Sequence, residues 1–392
     1  MKTYKNYEYK DLLKYARSSA QKKALEVLMK TKSQREACRV LDVDIRSLER
    51  MLERIRKQAA RQGWSPDHDM IHDLPEGFIA KGVSTLYDDE GKVRIQWVKS
   101  AIAEQDKMDA IAKAIEASVD YCSGKSPKVK APKKRIAADE LAAYFIGDAH
   151  MGMYADKDET GQDFDCKIAS RDLRYAFDRL VENAPDSETA LVVNLGDFFH
   201  FDNHEMTTRA SGHSLDGDTR LEKVFGIGVE VMNYMVERAL EKHRKVICRN
   251  VRGNHDDILS MALKFQMQAF WKNNKRVTIE MSPSPHWLFE FGKVGFLITH
   301  GDKTKPSKIP EVFAGMYGEL WGRTKHRYGI HGHFHSKMSF DSPGIRVEGF
   351  TNLASNDAWH NEMGYYSPQE MTMVVYHKEK GEIRRSIERP AI

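Results

Sequence analysis

Cysteine is scarce in this chain: four among 392 residues, Cys38, Cys122, Cys166 and Cys248, with no C-x-x-C pair. That spacing argues against a zinc ribbon or a disulfide framework and fits a reducing compartment. Long apolar runs are missing too, so nothing in the sequence is expected to span a membrane. The opening stretch "MKTYKNYEYKDLLKY" is too charged for a signal peptide. These absences together place the chain in the cytoplasm, with no membrane partner. There is no internal repeat. With 41% hydrophobic and 30% charged residues, the composition is otherwise ordinary, and the length allows two or three domains with at least one large core.

Net charge is only +4, but it is unevenly spread. Residues 1–62 carry 17 Lys/Arg against 8 Asp/Glu, so this segment is +9 and the remainder −5. "SQRE" (33–36) is a Ser-x-x-Glu capping box before a short helix through Val40. "LDVD" (41–44) reads as a turn with Asp44 capping the next helix. From Ile45 an apolar stripe runs through Leu48, Leu52, Ile55 and Ala59, while Arg46, Arg50, Arg54, Lys57 and Arg61 recur on another face. Two short helices, a tight turn and a basic second helix match the helix-turn-helix design, in which the second helix enters the major groove. The segment resembles the small modules of transcription regulators and site-specific recombinases. Residues 1–62 are therefore expected to bind DNA through those five cations.

Residues 63–122 read as a small accessory unit. "VSTLYDDEGKVRIQWV" predicts a hairpin around Asp89-Glu90-Gly91, followed by a helix from about Ile102 to Val119. Residues 123–138 open with the basic, Pro-containing "SGKSPKVKAPKKR" and read as a linker to a domain over 139–392.

That last domain repeats one arrangement five times. "AAYFI" (142–146) precedes "GDAH", "ALVVNL" (190–195) precedes "GDFFH", "VICRNV" (246–251) precedes "RGNHDD", "VGFLIT" (294–299) precedes "HGD", and "YGI" (328–330) precedes "HGHFH". Helical patterns over 170–183, 221–242 and 258–271 lie between some of them. Alternating strands and helices predict an α/β core, whose sites form at the carboxyl ends of strands. Five such clusters, all offering oxygen and nitrogen ligands and none a thiolate, predict a metal site with enough residues for two ions. In "RYGIHGHFHSK" (327–337), His331, His333 and His335 alternate, and on an extended chain they would point to one side.

The order D-x-H … G-D … G-N-H-D … H-G … G-H-x-H, over roughly residues 144–335, resembles that of the calcineurin-like metallophosphoesterases. The resemblance implies a four-layer α/β/β/α sandwich, here preceded by the small helical module, and a two-metal site. Asp148 and His150 would bind the first metal, Asp197 would bridge both, and Asn254, His300 and His333 would bind the second. His335 would return to the first, so that alternation lets His333 and His335 serve adjacent ions. His331 has no counterpart in that ligand set and would be a neighbour. His255 would contact the scissile phosphate and assist the leaving oxygen, with a metal-bridging hydroxide as nucleophile. Two ions about 4 Å apart suit this chemistry, because they clamp both the attacking and the leaving oxygens. The mixed donor set suits Mn, Fe or Zn better than Ca or Mg, with Mn the first choice by family likeness.

One position departs from the common G-D-x-x-D pattern: His200 stands where the last Asp orients the catalytic histidine. Asp202 or Asp256 is expected to take over that task. DNA-repair exonucleases of the superfamily often carry His there, and "GNHDD" looks like their version, whereas phosphoprotein phosphatases favour G-N-H-E. The polar loop 201–220 follows Asp197 and offers Arg209 and Arg220 to a phosphate. The sequence therefore predicts a DNA phosphodiesterase delivered by its basic module, with a phosphomonoesterase acting on protein or nucleotide as the alternative. A helix-turn-helix joined to a phosphoesterase resembles products of tailed bacteriophages, which would place it in the host cytoplasm. Related exonucleases often pair with an ATPase, for which the sequence shows no docking surface.

Overall fold

Short polar side chains set the helix starts of the N-terminal part. The computed structural model describes residues 6–31, 33–61, 78–87, 93–102, 120, 122–133, 137–208, 212, 214–364 and 366–391. They fall into two units, Met1–Ala114 and Ile115–Ile392. The first begins with α1 (Asn6–Leu12), α2 (Ser19–Lys30), α3 (Gln34–Leu41) and α4 (Ile45–Arg61). A full capping box starts α2, where Ser18 and Gln21 satisfy each other's amides. Before α3, Ser33 accepts from the Glu36 amide at 3.2 Å. Asp44 caps α4 by accepting from the Ser47 amide at 2.9 Å, and Asp42, in the left-handed region at φ 53°, ends α3 and turns the chain.

Leu48, Leu52, Ile55 and Ala59 are buried against Leu12, Leu25 and Leu28. Ile45, expected at the head of that stripe, is 39% exposed, because it precedes the packed turns. Arg46, Arg50, Arg54 and Lys57 are exposed along α4, with Lys57 paired to Glu53 at 2.7 Å. Arg61 closes the helix, but its side chain lies outside the described residues. Strands β1 (Phe78–Tyr87) and β2 (Val93–Ile102) then pair antiparallel, with Val83 opposite Val98. Their turn and most of the helix expected up to Val119 lie outside the described residues, and Ile102 ends β2 instead of opening a helix.

In the second unit, each apolar run becomes a strand buried on both faces. A six-stranded sheet has the order β13 (Gly381–Glu388), β12 (Met371–His377), β3 (Ala137–Ile146), β4 (Ser187–Asn194), β5 (Lys245–Asn250), β6 (Val277–Ile279). A five-stranded sheet has the order β10 (Met338–Ser342), β11 (Ile345–Gly349), β9 (His326–His331), β8 (Val294–Ile298), β7 (Trp287–Phe291). Alternate residues explain the layering. Leu141, Ala143 and Phe145 of β3 and Leu191 and Val193 of β4 pack with Phe296, Ile298 and Ile330 of the other sheet. Tyr144, Ile146, Ala190 and Val192 instead face α5 (Cys166–Asn183), α6 (Leu221–Lys242) and α7 (Asp257–Trp271). Beyond the second sheet, Leu297 and Val347 pack on Ile309 and Phe313 of α8 (Ile309–Met316) and on Leu320 of α9 (Gly318–Arg323). This is an α/β/β/α arrangement, and burial of both strand faces is why these strands read as continuous apolar runs.

Strand register positions the site. Ile146 pairs with Asn194, and Asn194 with Asn250, so three parallel strands end level. In the other sheet Ile298 pairs with Ile330, which levels β8 and β9. The basic stretch read as a linker is docked rather than loose between residues 122 and 133. The amides of Gly124 and Ser126 donate to the carbonyls of Ala269 and Phe270 at the end of α7, at 2.8 and 3.2 Å, and Arg276 holds the Val129 carbonyl at 2.7 Å.

Phe296 is fully buried between the sheets, its ring 4.8 Å from that of Tyr376. Phe296→Ala is expected to lower stability by about 3–5 kcal/mol, as large aromatic truncations in cores do. Urea unfolding followed by circular dichroism checks this, and a loss below roughly 1 kcal/mol would contradict face-to-face packing at that point.

Candidate metal centre

The loops that follow these five strand ends meet at one place. Four of the predicted ligands, His150 (φ 45°), Asp197 (φ 49°), His333 (φ 71°) and His335 (φ 49°), adopt left-handed backbone that non-glycine residues avoid. Such conformations cost roughly 1–3 kcal/mol each and persist only where the surroundings enforce them. They also revise the reason for the alternating histidines. His331 is the last residue of β9 and fully buried, whereas His333 and His335 lie beyond the strand in a turn. Their convergence comes from two left-handed residues and not from strand alternation. His331 Nδ1–H donates to the Gly332 carbonyl at 2.9 Å, and this side chain stands outside both ligand clusters.

Asp148, His150 and His335 form one cluster of mutually close ligand atoms, and Asp197, His300 and His333 form another. In the first, His335 Nε2 is 3.0 Å from His150 Nε2 and 3.1 Å from Asp148 Oδ2. In the second, His300 Nε2 is 3.0 Å from Asp197 Oδ2 and 3.1 Å from Asn254 Oδ1. The structure thus brings Asp148, His150 and His335 close to one another, and Asp197, His300 and His333 likewise with Asn254 beside His300, while His150, His200 and His255 form a third close group. Glycine permits the approach: a Cβ on Gly253 would lie 1.9 Å from Asp197 Oδ1, and one on Gly196 (φ 105°) 2.4 Å from His300 Nδ1.

Neighbouring groups orient the imidazoles. His300 Nδ1–H donates to the Leu195 carbonyl at 2.9 Å, which turns Nε2 toward Asp197. His150 and His200 meet through their Nδ1 atoms at 3.1 Å. With Nε2 of His150 in the ligand cluster, its Nδ1–H donates and His200 accepts. His255 Nδ1–H donates to the main-chain carbonyl of His200 at 2.8 Å, and its ring stacks on the His200 ring with centroids 5.6 Å apart. The partner that orients His255 is therefore backbone, and not the carboxylate of Asp202 or Asp256 expected from the sequence. Asp202 accepts from the Ile258 amide at 3.0 Å at the start of α7. Asp256 accepts from the amides of Gly253, Phe198 and Phe199 at 3.0, 2.9 and 3.3 Å, and so ties the two loops that carry Asp197 and Asn254.

The electrostatics fit a cation. Asp148 is 1% exposed, yet neither of its oxygens receives a well-directed hydrogen bond. A buried carboxylate left that way is costly unless a positive charge meets it. Without metal, a proton takes that role nearby. Burial would lower His300, but the Asp197 charge outweighs it and raises the imidazole to about 10. Burial likewise opposes ionisation of Asp197, and His300 nevertheless holds it well below the usual carboxylate range. Burial, with the charge of His255, pushes His200 down to about 3, consistent with a neutral acceptor. Burial and the Asp197 charge push Asp256 up to about 8 against its three amide donors. An oxygen/nitrogen donor set of this kind suits Mn, Fe or Zn.

A cleft of about 1040 Å³ reaches the site at Asp197, His255, His333 and His335, which line it. Its walls include residues the sequence reading missed, among them Phe334, Asp357 and Tyr366. The last two come from the segment after β11, which no strand-end pattern marked. Arg220 is exposed before α6 and Arg209 lies outside the described residues.

The raised His300 pKa has a consequence for the metal-free protein. Its proton stabilises the fold fully below the unfolded value near 6.5, and that contribution fades as pH rises through about 10. Stability of chelator-treated protein, measured by urea unfolding, should therefore fall between pH 7 and 10, and His300→Gln should flatten that fall. An unchanged pH profile in the variant would contradict the His300–Asp197 pairing.

No curated protein matches the chain. Among solved structures, it is similar to a dimetal phosphatase from Danio rerio, at 11% identity over 64% of this chain and 99% of that one, with a TM-score of 0.34. It is also similar to a novel archaeal phosphodiesterase, at 16% identity over 63% and 99%, with a TM-score of 0.33. A predicted phosphoesterase from Streptococcus pneumoniae TIGR4 aligns at 13% identity over 64% and 100%, with a TM-score of 0.27. The family model described as calcineurin-like phosphoesterase matches residues 142–369, and these include both ligand clusters and every strand end that supplies them. The match covers more than half of the chain, and the chain belongs to the calcineurin-like phosphoesterase family of metal-dependent hydrolases.

Proposed function

We propose that the protein is a two-metal phosphodiesterase that cleaves DNA, with its N-terminal helices holding the nucleic acid. The observation that carries this reading is a cleft lined by His255 together with members of both ligand clusters, His335 of one and Asp197 and His333 of the other. Asp148, His150, His335 and Asp197 would hold one ion, and Asp197, Asn254, His300 and His333 the other. When bound, such a pair polarises the phosphate and makes water nucleophilic at neutral pH. Mn is the ion we favour.

The protein's own groups do the rest. Asp197 would take part in both sites, as their shared carboxylate. Its Oδ1 also accepts the His255 amide at 2.7 Å, which couples the position of His255 to the clusters. With Nδ1–H donated to the His200 carbonyl, His255 offers Nε2 to the cleft, where it would hold a proton at the leaving oxygen. General acid catalysis of this kind is worth roughly 10²–10⁴ in rate.

DNA as substrate is supported by the first unit. Arg46, Arg50, Arg54 and Lys57 form an exposed cationic stripe on α4, the second of two helices joined by a tight turn. Arg50 and Arg54 also border a groove of about 300 Å³ with Ser18, Gln21 and Ser47. Such a stripe neutralises phosphates and releases counterions. The four buried free thiols support a reducing cytoplasm as the place of action.

Two measurements test the reading. With Mn, linear DNA and a small aryl phosphodiester should be hydrolysed. His255→Ala should lower kcat by about 10²–10⁴ while two metals remain bound. Turnover of an aryl phosphomonoester alone would overturn the diesterase assignment. Replacing Arg50 and Arg54 together by Ala should lower the ratio of kcat/KM on DNA to that on the small diester at least tenfold. It should also reduce the salt slope of DNA binding by about 2, and an unchanged slope would remove α4 from the DNA contact.

A further inference from the structure

The walls of the cleft carry a different chemistry from its floor. Among the described residues that line it, no lysine or arginine occurs, while Asp216 and Asp357 do. At the described part of this wall a phosphate would meet carboxylates, whereas an uncharged group would not be opposed. Two aromatic rings stand in it. Phe334 lies between His333 and His335 in sequence and is 43% exposed, although phenylalanine is normally buried. T-shaped contacts fix its ring against His333 at 5.0 Å and His331 at 5.8 Å. Tyr366, from the segment after β11, is 86% exposed and lines the same cleft. Neutral donors and acceptors, Asn352, Ser355, Ser367 and Gln369, accompany them.

Flat, uncharged and edge-polar groups match these surroundings. We propose that Phe334 and Tyr366 form a stacking site for the nucleobase next to the scissile phosphate. This inference rests on the phosphodiesterase reading of the same centre and adds a substrate subsite to it. The ring of Phe334 lies 5.0 Å from that of His333 in the cleft that His333 and His335 also line, which places it beside a phosphate held at those two histidines. The floor then neutralises one phosphate and the wall takes its base. Stacking of one base on an aromatic side chain strengthens binding by roughly 5- to 100-fold whatever the base.

Two readouts on the full-length protein test the subsite. The first, with Mn, compares kcat/KM for thymidine 5′-(p-nitrophenyl phosphate) and methyl p-nitrophenyl phosphate, which share a leaving group. The parent should prefer the nucleoside ester at least tenfold, mostly through KM. Phe334→Leu, which keeps apolar bulk, and Tyr366→Ala should each cut that preference at least threefold with metal stoichiometry intact. The second follows quenching of 2-aminopurine in a short single strand without metal, where stacking quenches and either variant should restore emission. Equal preference in parent and variants, or quenching that ignores both substitutions, would overturn the subsite and leave the hydrolase reading standing. Quenching that depends on Phe334 without cleavage of either ester would sink the hydrolase reading and leave the base site.

Discussion

Asp197 puts a carboxylate where water scarcely reaches, 1% exposed at the end of β4, with His300 Nε2 at 3.0 Å. Burying such a charge is costly, and only a cation or a shared proton repays it. The rest of the centre is arranged around that requirement. One oxygen faces His300 and the other accepts the His255 amide, so loops from different strands meet at the same side chain. Asp256 reinforces the junction by binding amides on both the Asp197 loop and the Asn254 loop.

Rigid strands make the strained loops affordable. Parallel register ends β3, β4 and β5 level, and burial on both faces keeps them there. Against that frame four ligand residues hold left-handed backbone that would relax in a free loop. His150 is aimed by the buried ring of His200, and His300 by the Leu195 carbonyl. Orientation of this kind determines which nitrogen is offered, and so whether a histidine is a ligand at all. His331 shows the contrast: it is a near neighbour in sequence, yet its ring closes on its own turn.

The charge of the molecule is divided by task. The exposed cations of α4 belong to the first unit, the close carboxylate and imidazole groups to the strand ends of the second, and aromatic and neutral polar side chains, with Asp216 and Asp357, to the cleft lining. A phosphodiester has parts suited to each: a backbone charge, a reacting phosphate and an uncharged base. This match gives the nucleic-acid reading its coherence beyond any single contact.

The sequence by itself determined the five apolar runs, the helices between them and the oxygen- and nitrogen-bearing side chains that follow each run. Strand burial and strand-end placement leave a local trace, because a strand buried on both faces must be apolar and a ligand must sit just past its end. It also marked the start of α4 through Asp44 and the basic stripe from Arg46 to Lys57. Tertiary structure alone decided the rest. The partner of His255 is a backbone carbonyl, which no side-chain pattern reveals. The turn that aims His333 and His335 rests on left-handed backbone, which the alternation of histidines did not foretell. Phe334 and Tyr366 share a cleft only because the segment after β11 folds back over strand ends distant in the chain. Local periodicity records what each residue does within its own element, but a site assembled from several loops is fixed by long-range packing, and that has no period to read.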